Sequence, residues 1–234
     1  MKKRIALLTI TILLFAFGSV AQEQKEISVS TFSEVKFEGS AQWILIQASE
    51  EKVVIESKSK DILENITVNQ KGSLLTISTT EKDKNITKLF KSVIIKVYFK
   101  SLNNVSLSGV GSVKADKQIS AEGFTATLHG TGNMDLDIRC AKFDGNMSGT
   151  GALTISGTAD KAIVRVEGVG SFEGYELVTF DMDITVSGVG AAKVYATDKL
   201  IATINGVGSI RYLGDPNTKS LNSNGLGSIK QKSD

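Results

Sequence analysis

The chain has 234 residues, 41% of them apolar, with 27 Lys and Arg against 25 Asp and Glu, a balance that suits one folded unit with a sizeable core. Without Lys2, Lys3 and Arg4, 24 basic residues face 25 acidic ones, a formal charge of about −1 that gives no bulk attraction to nucleic acid or anionic lipid. A single Cys and a single His exclude an internal disulfide, a three-histidine metal site and a mixed Cys/His metal centre.

Lys2, Lys3 and Arg4 precede an apolar run from Ile5 to Phe17, and Ser19 and Ala21 place small residues where a signal peptidase reads. The run is shorter than the ~20 residues a bilayer-spanning helix needs. Residues 1–21 are therefore expected to be a cleaved secretory signal, with no membrane span left in the mature chain and no cysteine at the junction for a lipid anchor. One domain is expected over 22–234.

From Glu26 to about Lys100 the sequence reads as short strands rich in β-branched and aromatic residues. They are Ile27–Ser30, Glu34–Phe37, Ala41–Gln47, Val53–Glu56, Asn65–Asn69, Leu74–Ser78 and Val93–Tyr98. These predict irregular N-terminal coils over 22–100, with polar Lys82–Lys91 as an excursion from the stack. Phe37-Glu-Gly-Ser-Ala41 reads as a degenerate first copy of a motif that dominates the rest.

That motif is a polar residue followed by Gly-x-Gly, and it occurs seven times. The glycines are Gly109 and Gly111, Gly130 and Gly132, Gly149 and Gly151, Gly168 and Gly170, Gly188 and Gly190, Gly206 and Gly208, Gly225 and Gly227. Successive copies are 21, 19, 19, 20, 18 and 19 residues apart. A period near twenty built from glycine bends and short β-type segments predicts an all-β solenoid with repeat coils over 101–229 and a polar tail over 230–234.

Before the first six copies, Leu107, Leu128, Met147, Val166, Val186 and Ile204 alternate with polar neighbours, and Ser223 breaks the run at the seventh. After each, Val113, Met134, Leu153, Phe172, Ala192, Ile210 and Ile229 form a second inward set. The glycines serve either a backbone with positive φ or a place where a side chain would be in the way. In-register stacking would turn the middle residues Val110, Thr131, Thr150, Val169, Val189, Val207 and Leu226 into one partly apolar ladder. A phosphate-cradling loop is excluded, because no copy has the third glycine or the following helix that a dinucleotide fingerprint requires.

Phe32-Ser-Glu-Val-Lys-Phe37, Ala41-Gln-Trp-Ile-Leu-Ile-Gln47, Val53-Val-Ile-Glu56, Gly72-Ser-Leu-Leu-Thr-Ile77 and the Ser-Gly-Val-Gly repeats, in that order, resemble a family of secreted Bacteroidetes proteins. The family is described as putative auto-transporter adhesins with a head GIN domain. The resemblance implies a single-stranded right-handed parallel β-helix with no established catalytic residues. No membrane-barrel region is recognisable, so self-transport is not expected.

Two carboxylate pairs, Asp135 with Asp137 and Asp181 with Asp183, each present both side chains on one strand face. Converging carboxylates would suit Ca²⁺ or a carbohydrate-active β-helix enzyme, but these pairs follow different parts of the repeat and read as solvated positions. His129 fills a slot held elsewhere by Ser, Glu or Asn and reads as an exposed turn residue. Cys140 and Trp43 read as core. Asn65, Asn85 and Asn104 match the eukaryotic glycan-acceptor pattern, which carries no meaning in a bacterial chain. Tyr175, Tyr195 and Tyr212, near the repeat spacing, are expected to form an outer aromatic row able to stack on a glycan or protein.

The expectation is an exported, non-enzymatic, adhesin-like envelope or surface module in the periplasm, on the outer membrane or outside the cell. It would need no metal or cofactor and would bind a cell-surface glycan or protein. Open coil ends would favour homo-oligomers. A carbohydrate-active enzyme using the four aspartates is the alternative.

Overall fold

A computed structural model of the chain describes residues 23–58, 60–79 and 93–232. The expected signal, the whole Lys82–Lys91 excursion and the last two residues of the tail lie outside the described residues. The protein is nearly all β, a solenoid of about 7 turns with ~19-residue coils.

Among the described residues the first strands are β1 (Glu23–Ser28), β2 (Glu34–Gln47), β3 (Lys52–Ser57), β4 (Ile66–Lys71), β5 (Leu74–Thr79) and β6 (Val93–Phe99), with one short helix, α1 (Lys60–Glu64). The expected segments Glu34–Phe37 and Ala41–Gln47 are a single strand bent at Gly39, whose φ is +95°. Gly39 pairs with Gly109 and Ala41 with Gly111, so the degenerate copy is a true rung.

These strands do not stack in chain order. β5 and β6 lie parallel to the two halves of β2, on the side away from the repeats. β4 then pairs antiparallel with β5, β3 with β6 and β1 with β3. The physical reason is the end of the stack: an uncovered coil would offer a row of unpaired N–H and C=O groups. Antiparallel strands and α1 cover it here.

From β7 (Asn104–Ala115) onward the stack is parallel. It continues through β8 (Ile119–Ser120), β9 (Gly123–Leu128), β10 (Thr131–Met147), β11 (Thr150–Val166), β12 (Val169–Val186), β13 (Val189–Ile204), β14 (Val207–Leu213), β15 (Thr218–Ser223) and β16 (Leu226–Gln231). The second glycines pair rung to rung from Gly111 to Gly227. The inward sets read from the sequence are buried, except in the last coil.

The bend explains the glycines. A Cβ on Gly168 would stand 1.9 Å from the carbonyl oxygen of Gly149 in the previous coil, and one on Gly188 would stand 2.1 Å from that of Gly168. The same oxygens accept coil-to-coil hydrogen bonds: the Val169 N–H donates to Gly149 at 3.0 Å and the Val189 N–H to Gly168 at 3.1 Å. The first glycine of each copy is thus required by the neighbouring backbone rather than by a positive φ.

The last coil is built differently. At inward positions Lys219 pairs with Leu200, Ser223 with Ile204 and Gln231 with Tyr212, so polar residues replace apolar ones. Lys219 Nζ meets Asp215 Oδ1 at 2.8 Å, and Gln231 Nε2 donates to the Gly214 carbonyl at 2.7 Å. An inward charge on an edge strand blocks further pairing, and a polar outer face marks a capping repeat. Leu221 and Ile229 alone keep apolar character at inward positions of this coil.

Two outcomes follow. Gly168→Ala should cost on the order of 3 kcal/mol in urea unfolding, because a backbone oxygen must move. Gly72→Ala, at φ +59° with open space around it, should cost only about 1–2 kcal/mol; equal losses would contradict the close-approach account. The triple variant Lys219→Leu, Ser223→Ile, Gln231→Tyr should associate end to end, read as a rise in mass by light scattering. An unchanged mass would contradict the capping role.

Candidate binding surface

Stacking converts each position of the repeat into a row. The polar residue before the bend forms a hydrogen-bonding row: His129 Nδ1 lies 2.5 Å from Ser148 Oγ, and Asn224 Nδ2 donates to Asn205 Oδ1 at 3.1 Å. His129 is an exposed member of this row.

The next row is the middle residue of the bend, and register places Val169, Val189, Val207 and Leu226 side by side. They are 57, 56, 49 and 79% exposed. With strands ~4.8 Å apart the four rungs span about 14 Å. In earlier coils the row holds Val110, Thr131 and Thr150, so Thr131 and Thr150 separate the half-buried Val110 from the run of exposed apolar residues in the C-terminal coils.

The carboxylates are spread out. Asp135 faces Lys114, 3.7 Å away, and Asp137 accepts from Gln118 Nε2 at 2.9 Å. Asp181 falls between Lys161 and Lys199, and Asp183 between Ile163 and Ile201, on a different strand segment. Among the described residues no group of three or more His, Cys, Asp or Glu is placed to hold a metal ion.

The three tyrosines do not form one row, which corrects that expectation. Tyr195 pairs with Leu213, whereas Tyr212 pairs with inward Val194 and is only 5% exposed. Tyr175 and Tyr195 remain half-exposed. The Lys193 and Lys232 ammonium groups lie 5.9 and 5.1 Å from the Tyr175 ring centroid, within cation–π range.

Trp43 is fully buried and stacks on Phe37 with centroids 4.5 Å apart; its indole N–H has no hydrogen-bond partner among the described residues. Cys140 is buried, and burial, with the Asp160 charge adding to it, pushes its thiol up to about 11.

One feature was not read from the sequence: a shallow groove of about 490 Å³ where Asn103, Ser120, Glu122 and Lys142 line a second corner of the stack. The segments that line it, around 102, 121 and 141, contain no repeated motif that would mark it. A neighbouring hollow continues it past Arg139 and Asp160. Its walls mix opposite charges with small polar groups and contain no aromatic side chain.

The family model described as "Putative auto-transporter adhesin, head GIN domain" matches residues 31–216. The chain belongs to that family. Among solved structures, a putative adhesin from Bacteroides fragilis superposes with a TM-score of 0.84 at 27% identity, covering 92% of this chain and 98% of the other. A putative lipid binding protein from Parabacteroides distasonis gives 0.73 at 24% identity, covering 91 and 97%. A putative adhesin from Parabacteroides merdae gives 0.67 at 21%, covering 91 and 96%. The latter two establish the shared fold. No curated protein matches the chain.

The thiol supplies a check on the packing of this region. Native protein should react with a thiol reagent at pH 8 far more slowly than urea-unfolded protein, because the folded state holds Cys140 protonated. Burial penalises the thiolate in the folded state, so stability is undiminished at neutral pH and should fall as pH rises toward about 11. Equal labelling rates would contradict the burial.

Proposed function

We propose that the chain is an exported, non-enzymatic, adhesin-like module of the cell envelope or surface, holding its partner against the outward rows of a stiff solenoid. The observation that carries this reading is the ridge from Val169 to Leu226. Four apolar side chains stay in water, in register, on consecutive rungs. A contiguous exposed apolar patch of this kind marks an interaction site. Membership of an adhesin-described family supports the same reading. Catalysis by Asp135, Asp137, Asp181 and Asp183 finds no support in their placement, since the two pairs occupy separate segments and Asp135 and Asp137 have cross-coil partners.

The site of action is read by protease shaving of intact cells, with an antibody to the mature chain and a periplasmic control protein. Digestion while the control survives is the expected result and supports surface display. Survival until the outer membrane is opened would remove adhesion as the direct role and leave a periplasmic scaffold.

A further inference from the structure

The segment after each bend presents three parallel outward rows in the C-terminal coils. The first is the ridge, Val169, Val189, Val207 and Leu226. The second is small: Ser171, Ala191, Ser209 and Ser228. The third runs Glu173, Lys193, Arg211 and Lys230, and its one acid is paired with Lys193 at 2.9 Å. Four residues along a strand separate first row from third, about 13 Å. At the far edge lie the half-exposed rings of Tyr175 and Tyr195.

The next two coils back carry Thr131 and Thr150 in the first row and Asp135 and Thr154 in the third, and in the coil before them Val110 is half-buried and Lys114 is paired with Asp135 at 3.7 Å, so no continuous apolar and basic face forms there. The change is general. Every exposed large apolar side chain among the described residues lies at Val169 or beyond. From Val189 to Lys232 the charges are Lys193, Lys199, Arg211, Lys219, Lys230 and Lys232 against Asp198 and Asp215. The near-neutral mature chain therefore conceals a basic, apolar C-terminal end.

We infer that this face of the C-terminal coils docks on an anionic lipid surface, with the apolar ridge entering the interface and the Lys193–Arg211–Lys230 row meeting lipid phosphates. The ridge is the reason for choosing lipid over a soluble polyanion. A polyanion would neutralise the basic row but leave four apolar side chains in water, whereas a lipid interface satisfies both. Tyrosine rings are at home at headgroup depth. The inference deepens the binding role proposed above and rests on it for access to lipid in the cell.

The test is co-sedimentation of the purified exported chain with vesicles of equal parts phosphatidylglycerol and phosphatidylcholine, or of phosphatidylcholine alone. The expected result is binding to the anionic vesicles about tenfold or more stronger than to the neutral ones, weakened by added salt. The variant Val169→Thr, Val189→Thr, Val207→Thr, Leu226→Gln should lose most of that binding. Its fold should persist, because Thr already occupies this row at Thr131 and Thr150, and an unchanged melting curve verifies it. Lys193→Gln, Arg211→Gln, Lys230→Gln should abolish the preference for anionic lipid. No binding to either vesicle, or a ridge variant that binds anionic vesicles as well as the parent, would overturn the inference. So would capture by soluble heparin in place of vesicles with the ridge variant unaffected. Any of these leaves surface display, read by shaving, untouched.

Discussion

Two backbones pass at each glycine bend closer than any side chain permits, and the rest of the molecule is arranged around that approach. The carbonyl of Gly149 points along the stack at the place where a Cβ of Gly168 would stand, and it accepts the Val169 N–H. The contact recurs at Gly130, Gly188, Gly206 and Gly225, and even Gly109 rests on the carbonyl of Gly39. Because each bend is hydrogen-bonded to the next, coils cannot slip by one residue. A slip of one would turn every inward side chain outward. Register, core and surface rows thus share one cause.

Once register is locked, a change at one repeat position becomes a change along a line. Thr131 and Thr150 giving way to Val169, Val189, Val207 and Leu226 is a minor substitution in each copy and a continuous ridge in the stack. The two ends face the opposite problem, since no further coil satisfies them. One end is covered by strands that reverse direction, β1, β3 and β4. The other exchanges inward apolar residues for Lys219, Ser223 and Gln231. These are different solutions to the same exposed backbone.

Much of this was legible in the chain. The glycine period gave the solenoid, the alternating apolar residues gave the core columns, and Gly39 was visible as a worn first copy. The closing of the N-terminal end was not, because β2 pairs with β5 and β6 across about forty residues or more that carry no repeat. The tyrosine row failed for a reason of counting. Tyr195 and Tyr212 are 17 residues apart, but the local coil is 18, as Tyr195 opposite Leu213 shows. One residue short reverses the face, and Tyr212 goes into the core. The basic, apolar face was hidden by averaging: acidic residues in the earlier coils cancel Lys193, Arg211 and Lys230 in the overall charge.

The central claim is that the bend is a backbone contact and not a loop, and amide hydrogen exchange by NMR tests it most directly. Val169, Val189 and Val207 have side chains in open water, yet their N–H groups donate to glycine carbonyls of the preceding coil at 3.0–3.1 Å. The account predicts that these amides exchange as slowly as those of inward strand residues such as Val186 and Ala202. Exchange at the rate of an exposed turn would show that the coils part at their bends, and the glycine contact would then not be what holds the stack.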